Sequence, residues 1–116
     1  MKEGFFMLQI ALVQMRVIPG FPDRNTETML QYIAEARERN ADLVIFPEMA
    51  IPGYLLGDTW EQPSFLEDCV ACGEEIVAAS RGITVMFGNV AVDWTKKNKT
   101  AASENTTRFS QRRTGV

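Results

Sequence analysis

Glu48 is the carboxylate that the sequence places where a catalytic group could act. It follows four apolar residues, LVIF at positions 43–46, and a proline. Such a run is typical of a strand buried on both faces that ends in one charged group. The next residues, 50–54 (AIPGY), form turns at the edge where active sites of open α/β sheets collect. Glu48 is therefore a candidate catalytic residue, although a solvated loop carboxylate or a helix cap would give the same local pattern.

Two thiols are the second candidate group. Cys69 and Cys72 have the C-x-x-C spacing of redox and zinc sites, but both fall on or beside the apolar stripe of a predicted helix. The sequence has no second pair and no histidine, which excludes Ser-His-Asp and Cys-His catalysis and histidine-ligated metal. We expect buried thiols and no metal, with a zinc ion shared between two chains as the alternative.

The aromatic residues Tyr54, Trp60 and Phe65 flank the loop that follows Glu48. This loop is longer than a plain connection needs, which is typical of a loop that lines a site. The three side chains are therefore candidates for lining a substrate pocket. Aromatic residues in such a position also commonly pack the loop onto the core, and both interpretations stay open.

The elements that position these residues alternate between strand and helix. Residues 8–15 (LQIALVQM) predict a central parallel strand. Asn25 or Thr26 can cap a helix that runs to about Arg39, and Asn40 ends it just before the strand that leads to the candidate carboxylate. Strand, helix and strand in this order predict a βαβ unit with a parallel pair.

A second helix and a third strand follow the long loop. Ser64 to Glu67 (SFLE) has the pattern of a capping box that starts a helix, and Gly82 suits its C-terminal end. Residues 83–92 (ITVMFGNVAV) predict a strand in which Gly88 marks a bulge or a close backbone approach. The fold class is therefore α/β, in the order β-α-β-α-β.

Composition and charge exclude several kinds of partner. The chain has 116 residues, one domain at most and short for a complete α/β enzyme. Its formal charge of −3 and pI of about 4.9 argue against nucleic acid or an anionic membrane. No apolar run approaches the roughly 18 residues of a membrane-spanning helix. We expect a soluble cytoplasmic protein.

The composition changes abruptly near residue 100. Residues 96–99 (KKNK) predict a basic turn, and residues 100–116 have no hydrophobic period and few apolar side chains. Three arginines and one glutamate give residues 100–116 a charge of +2, whereas residues 1–99 combine nine Lys/Arg with fourteen Asp/Glu. We expect a folded unit over residues 1–99 and an aberrant or disordered tail.

Three segments carry a family resemblance: the strand IALVQM (residues 10–15), the strand ADLVIFPEM (residues 41–49), which follows a loop and a helix, and PGY (residues 52–54). Their order resembles that in the N-terminal part of the nitrilase superfamily of carbon-nitrogen hydrolases. The resemblance covers residues 8–93 and implies the first, incomplete part of an α-β-β-α sandwich whose enzymes use a Glu-Lys-Cys triad. Within the superfamily, residues 53–66 look most like the glutaminase domain of glutamine-dependent NAD synthetases.

The resemblance assigns one catalytic position. Glu48 matches the family's general base, which takes the proton of a cysteine thiol as the thiolate attacks an amide carbon. The implied substrate is a small amide, with glutamine first, and the hydrolase step needs no cofactor. An ATP-dependent synthetase domain is implied in the full-length protein. None of the chain's later lysines or its cysteines stands in the family's other two motifs, so we expect this chain alone to be inactive.

Two other functions remain open. The chain could belong to another amidase branch that acts on a different amide. Alternatively, it could be a non-catalytic α/β module that self-associates, because half a sandwich leaves strand edges and an apolar sheet face uncovered. The same reasoning predicts a homo-oligomer.

A shifted reading frame offers an explanation for the tail. Back-translating from Lys99 onward with permitted codons, and reading one nucleotide out of phase, gives DGRIRKYNALF. That string resembles the family's continuation, a turn followed by a strand that contains Tyr-Asn-Ala. Codons for KKNK would be rich in adenine, a place where one base is easily lost. We hypothesise that residues 100–116 are read out of frame.

Overall fold

The computed structural model describes residues 7–54, 57–94 and 103–111, the last range by its backbone alone. Strands and helices alternate, as the sequence predicts. The elements are β1 (Ile10–Leu12), α1 (Pro22–Glu38), β2 (Leu43–Ile45), a short 3₁₀ helix (Asp58–Glu61), α2 (Pro63–Ala79), β3 (Thr84–Val92) and β4 (Ser103–Gln111). The predicted β-α-β-α-β order and the α/β class are confirmed.

The four strands form one sheet in chain order, β1-β2-β3-β4. The first three strands are parallel, with Ala11, Val44 and Val85 side by side in register. Both crossovers run through a helix, as parallel neighbours require. The carboxyl ends of the three parallel strands therefore lie along one edge of the sheet.

One face of the sheet is covered by the two helices. Val44, Val85 and Phe87 point toward the helices, and their side chains are fully buried. The fully buried helix residues in the same core cluster are Met29, Ile33, Leu66, Cys69 and Ile76. These residues recur at helical spacing, which explains why the sequence periodicity predicts both helices.

Both helices begin with proline rather than with a capping side chain. α1 starts at Pro22, so the predicted cap at Asn25 or Thr26 is wrong. α2 starts at Pro63, and the predicted capping box from Ser64 is also wrong, because among the described residues no side chain caps either helix. Proline suits the first helical position, since its fixed φ is already helical and its missing N–H would have no partner there.

The helix ends are stabilised in two different ways. Asn40 adopts a positive φ of 60° just after α1, which confirms that it ends this helix. At the end of α2, the Arg37 guanidinium donates hydrogen bonds to the carbonyls of Ala79 (2.6 Å) and Arg81 (2.8 Å). Gly82 also has a positive φ of 69°, but it lies beyond the last helical residue, Ala79. A cation at a helix C-terminus is favoured by the helix dipole.

β4 lies in the part of the chain for which composition predicts an aberrant or disordered tail. Residues 103–111 pair antiparallel with all of β3, from Thr84 opposite Gln111 to Val92 opposite Ser103. β3 is nine residues long, and its backbone groups on that side need hydrogen-bond partners. The threonines in residues 103–111 favour a strand. The predicted basic turn at residues 96–99 lies outside the described residues.

Within the described ranges, no helix is both long enough and apolar enough to cross a lipid bilayer.

Candidate active site

Glu48 lies three residues beyond the end of β2, with its side chain exposed. The chain leaves the sheet gradually, because the Phe46 amide still donates to the Met86 carbonyl at 2.9 Å. Met49 then takes a positive φ of 54°, which turns the backbone sharply. The carboxylate is thus delivered at the carboxyl edge of the parallel strands, as predicted from the sequence.

Gly88 allows β3 to pass directly beneath this turn. A Cβ at Gly88 would collide with the backbone nitrogen of Met49 and lie 3.2 Å from the Glu48 carbonyl carbon. The pairing of β3 with β4 runs through Gly88 without an extra residue. The predicted close backbone approach is therefore confirmed, and the alternative of a bulge is wrong.

Residues 49–53 form a buried turn behind the carboxylate. The Gly53 amide donates to the Met49 carbonyl at 2.8 Å and closes the turn. Ala50 and Ile51 have no exposed surface at all. Gly53 has a φ of 74°, and a Cβ there would stand 2.6 Å from the Pro19 Cα. Only glycine fits this position, because both the backbone conformation and the space exclude a side chain.

Backbone hydrogen bonds join the turn to its surroundings on two sides. The Gly20 amide donates to the Pro52 carbonyl at 2.9 Å, which links the turn to the loop between β1 and α1. The Ile51 amide donates to the Gly88 carbonyl at 3.4 Å, a longer bond to β3. The segment after Glu48 is therefore held by both neighbouring parts of the fold.

Asn25 adds a side-chain bridge between the same two loops. Its Nδ2 donates to the Ile51 carbonyl at 2.8 Å and to the Ile18 carbonyl at 2.9 Å. Its Oδ1 accepts a hydrogen bond from the Ile18 amide at 2.8 Å. Asn25 is only 1% exposed, so these groups have little access to water. The residue predicted as a helix cap instead supports the loop that carries the candidate carboxylate.

Tyr54 is the predicted pocket residue that meets Glu48. The two side chains form a hydrogen bond, in which the phenol donates to the carboxylate. This bond is the main reason why the pKa of Tyr54 lies above its ordinary value, with smaller contributions from desolvation and from the negative charge of Glu48. The structure thus brings together two of the four predicted site residues.

Trp60 and Phe65 form a different contact. Their ring centroids are 5.7 Å apart with an interplanar angle of 74°, an edge-to-face arrangement. Phe65 is buried, and Trp60 packs against the core. This contact agrees with the interpretation that the two aromatic side chains pack the loop onto the core. A role of Trp60 and Phe65 in lining a substrate pocket stays a prediction.

A shallow apolar groove leads toward Glu48 along the sheet. It has a volume of about 470 Å³ and is lined by Leu12, Val13, Gln14, Met15, Ile45, Phe46 and Pro47. Glu48 is the next residue after Pro47. A second groove of about 290 Å³ lies between β1 and α1, away from the carboxylate. Of the two grooves, only the first is lined by a sequence neighbour of Glu48, and Glu48 itself lines neither.

The two cysteines are buried free thiols, as predicted. Burial is the main cause that raises the pKa of Cys69 to about 12, and the neighbouring Cys72 adds to it. Burial likewise raises the pKa of Cys72 to about 11. Within the described ranges, no group of three or more His, Cys, Asp or Glu side chains is placed to hold a metal ion. Protonated, buried thiols are poor nucleophiles.

Sequence reasoning missed the roles of two buried asparagines. Asn25 precedes Met29 and Ile33 at four-residue steps on the buried side of α1. Asn89 continues the inward positions of β3 after Phe87, and its Nδ2 donates to the Cys69 carbonyl at 2.8 Å. A polar residue on an otherwise apolar period was the available signal, because most buried polar side chains have hydrogen-bond partners.

Known sequences show to which protein family this chain is similar. The sequence model for carbon-nitrogen hydrolase matches residues 9–107. A glutamine-dependent NAD(+) synthetase from Xanthomonas campestris pv. campestris is 42% identical over 82 residues, which make up 70% of this chain and 15% of that protein. The chain spans about 15% of the length of the curated relatives that it matches.

Solved structures show the same fold. A glutamine-dependent NAD(+) synthetase from Cytophaga hutchinsonii superposes with a TM-score of 0.77 at 22% identity, over 90% of this chain and 17% of that one. An amidase from Nesterenkonia sp. superposes with a TM-score of 0.73 at 22% identity, over 90% of this chain and 38% of that one. At this identity the likeness concerns the fold, and it confirms the partial nitrilase-like architecture.

Proposed function

Because the chain belongs to the carbon-nitrogen hydrolase family, we propose that it is the N-terminal part of a glutamine-hydrolysing domain of an NAD synthetase, with Glu48 as general base. The observation that carries the substrate assignment is the 42% identity to a glutamine-dependent NAD(+) synthetase. The position of Glu48, exposed at the carboxyl edge of the sheet and followed by a buried turn, supports its assignment as the base.

The proposed chemistry needs a carboxylate that can accept a proton from a thiol. Glu48 would take the proton of a cysteine thiol as the sulfur attacks the side-chain amide carbon of glutamine. The C–N bond then breaks, the proton passes to the leaving nitrogen, and ammonia departs from a thioester. Water activated by the same carboxylate would hydrolyse the thioester to glutamate and return the thiol. A lysine would stabilise the oxyanion of each tetrahedral intermediate.

The thiol and the lysine of this scheme would come from protein outside these residues. Cys69 and Cys72 are enclosed between helix and sheet with raised pKa values, so neither is suited to the role of nucleophile. We therefore expect the isolated chain not to hydrolyse glutamine. An ATP-dependent synthetase domain would consume the ammonia in the full-length protein.

A chimera tests the proposed substrate. The matching segment of the Xanthomonas campestris synthetase is replaced by residues 8–93, and ammonia release is measured with glutamine, asparagine and simple aliphatic amides. We expect glutamine to be the preferred substrate and the chimera to retain activity. A folded chimera that releases ammonia faster from another amide would favour a different amidase branch.

A non-catalytic, self-associating module is the second candidate, and the uncovered face of the sheet favours it. Leu12 is 72% exposed and Ile10 is 49% exposed, although both lie in a strand. Apolar side chains on a sheet face are normally covered, so association of two copies would bury them. Light scattering of the purified chain tests this proposal, which predicts a homo-oligomer. A clean monomer at high concentration would contradict it.

We also infer that residues 100–116 are read from a shifted frame. The change in composition and the out-of-phase string DGRIRKYNALF support this inference. Sequencing the DNA that encodes residues 94–116 tests it. The codons should yield this string, or one close to it, once a single adenine is restored near residue 99. Codons that give no such continuation would disprove the inference.

A further inference from the structure

The side-chain amide of Asn25 joins two loops, and both of its polar atoms take part. Its Oδ1 accepts a hydrogen bond from the Ile18 amide at 2.8 Å, and its Nδ2 donates to the Ile18 carbonyl at 2.9 Å. Nδ2 carries two hydrogens, and it also donates to the Ile51 carbonyl at 2.8 Å. A reversed amide would bring Oδ1 against two carbonyl oxygens, so these partners define the orientation of the side chain.

The bridge from Asn25 to Ile51 is shielded from water. Asn25 is 1% exposed, and Ile51 has no exposed surface. A buried hydrogen bond has no water to replace it when it breaks, and a buried carbonyl that loses its donor is costly. The bridge therefore holds the Ile51 carbonyl in one place relative to α1.

Ile51 lies in the turn that follows Glu48, and β3 contacts the same segment. A Cβ at Gly88 would lie 3.2 Å from the Glu48 Cα, which shows how closely the two backbones approach. The Ile51 amide donates to the Gly88 carbonyl at 3.4 Å. The backbone at Glu48 thus rests on β3 and continues directly into a turn that Asn25 holds in place.

We propose that Asn25 is a positioning residue for Glu48, which acts through the Ile51 carbonyl and the turn at residues 49–53. The proposal rests on the proposed role of Glu48 as general base. A misplacement of about 1 Å can lower the rate of a reaction about a hundredfold. A turn that shifts when the bridge is lost would carry the backbone of Glu48 with it.

The first test is Asn25→Ala in the synthetase chimera. Without the bridge, kcat for glutamine hydrolysis should fall about tenfold with KM within about twofold, because the base is displaced while glutamine still binds. NAD synthesis from ammonia should stay within about twofold, since it does not use Glu48. A rise in KM with an unchanged kcat would overturn the proposal and assign Asn25 to substrate binding.

The matched control is Arg37→Ala, which also removes two hydrogen bonds to backbone carbonyls. The carbonyls of Ala79 and Arg81 accept these bonds at 2.6 and 2.8 Å, between the end of α2 and the start of β3. This is the edge of the sheet opposite to Glu48, so kcat and KM should each change by less than about twofold. Equal falls of kcat in the two variants would overturn the proposal, because the loss of any such bridge would then suffice.

A second variant covers the case in which Asn25→Ala disturbs folding. Asn25→Ser keeps a hydroxyl that can bond to the backbone of its own helix, but this side chain is too short to bridge to Ile51. It should lower kcat for glutamine hydrolysis about tenfold and leave synthesis from ammonia intact. If both variants lose the two activities equally, Asn25 serves the stability of the domain and the positioning role is disproved.

A double substitution tests whether Asn25 acts through Glu48. Glu48→Asp withdraws the carboxylate by one methylene and should leave slow, measurable hydrolysis. Adding Asn25→Ala should then lower kcat by less than about threefold, because residues that act together have non-additive effects. A further fall as large as in the chimera with Glu48 would show that Asn25 acts independently, and would overturn the proposal.

The two proposals fail in different ways. If Glu48→Gln leaves glutamine hydrolysis intact in the chimera, the proposed base is wrong and Asn25 has no base to position. If Glu48→Gln abolishes hydrolysis and Asn25→Ala leaves kcat unchanged, the base stands and the positioning role of Asn25 is disproved.

Discussion

The two faces of the sheet differ in how completely this chain covers them. On the helix side, Val44, Val85 and Phe87 have no exposed surface. On the other side, Leu12, Ile45 and Met86 form a row across the three parallel strands, and Leu12 is 72% exposed. The same three strands therefore have one apolar face that is fully buried and one that is only partly buried.

The two faces have different roles. The helix-covered face is complete within this chain, whereas the other face requires a further layer of protein to cover it. The helix side contains a continuous core and holds the turn behind Glu48. The open side carries the apolar groove that ends at Pro47, next to the carboxylate. We infer that the covered face gives the chain its stability and that the open face receives the rest of a catalytic domain or a second copy.

The largest expected effect follows from truncating a side chain on the covered face. Phe87→Ala should lower the free energy of unfolding by about 3–5 kcal/mol, because a fully buried ring leaves a cavity. Urea denaturation followed by circular dichroism measures the change. The neighbouring Met86→Ala, on the open face, is the matched control and should cost about 1–2 kcal/mol. Equal losses would contradict the contrast between the two faces.

The next effect concerns the side-chain bridge behind Glu48. Asn25→Ala should lower the free energy of unfolding by about 2–3 kcal/mol, because it leaves buried backbone groups of Ile18 and Ile51 without partners. Amide hydrogen exchange should quicken in residues 49–53 more than in β3. Unchanged protection of this turn would show that Asn25 does not support it.

The thiols of the covered face predict a decline of stability at alkaline pH. The folded pKa values of Cys69 and Cys72 are raised from 9.0 to about 12 and about 11. Below about pH 9 the thiols are mostly protonated in both the folded and the unfolded chain, so the free energy of unfolding does not depend on their ionisation. As the pH rises from about 9 toward 11–12, the free energy of unfolding falls, because the thiols of the unfolded chain ionise first. Replacing both cysteines with alanine should flatten this decline in urea titrations, and an equally steep decline would contradict the prediction.

The smallest effect on stability is expected on the open face. Leu12→Lys should change the free energy of unfolding by less than about 0.5 kcal/mol, because its side chain is already mostly exposed. The same substitution should weaken self-association, which sedimentation velocity measures over a concentration series. Ala71→Lys, at an exposed position of α2, adds the same charge elsewhere and should not change association. Undiminished association of the Leu12 variant would assign the contact to another surface.

Periodicity predicted the architecture because each element has one dominant burial pattern. The four-residue steps of α1 indicated where the core would lie, and this prediction is confirmed. The apolar run of β2 predicted burial on both faces, which is wrong, because only Val44 of this strand is buried. The i, i+4 ion pair of Glu35 and Arg39, at 2.8 Å, likewise follows from helical spacing alone. Such local patterns need no knowledge of distant contacts.

The helix starts and the partners of the site residues depend on contacts that are remote in sequence. Asn25 has the residue type of a helix cap, but its partner Ile51 lies 26 positions away. The strand at residues 103–111 forms against the open edge of β3, which the composition of those residues does not reveal. The spacing of Glu48 and Tyr54 does not by itself specify the interaction with Glu48 that raises the pKa of Tyr54.

The most direct measurement of the central claim is NAD formation by the chimera with Glu48→Gln, supplied with either glutamine or ammonia. If Glu48 is the general base of glutamine hydrolysis, the variant should lose glutamine-dependent synthesis by at least about a hundredfold and retain synthesis from ammonia. Retention of both activities would contradict the assignment of Glu48. Loss of both would show that the substitution damages the whole enzyme rather than the hydrolysis of glutamine.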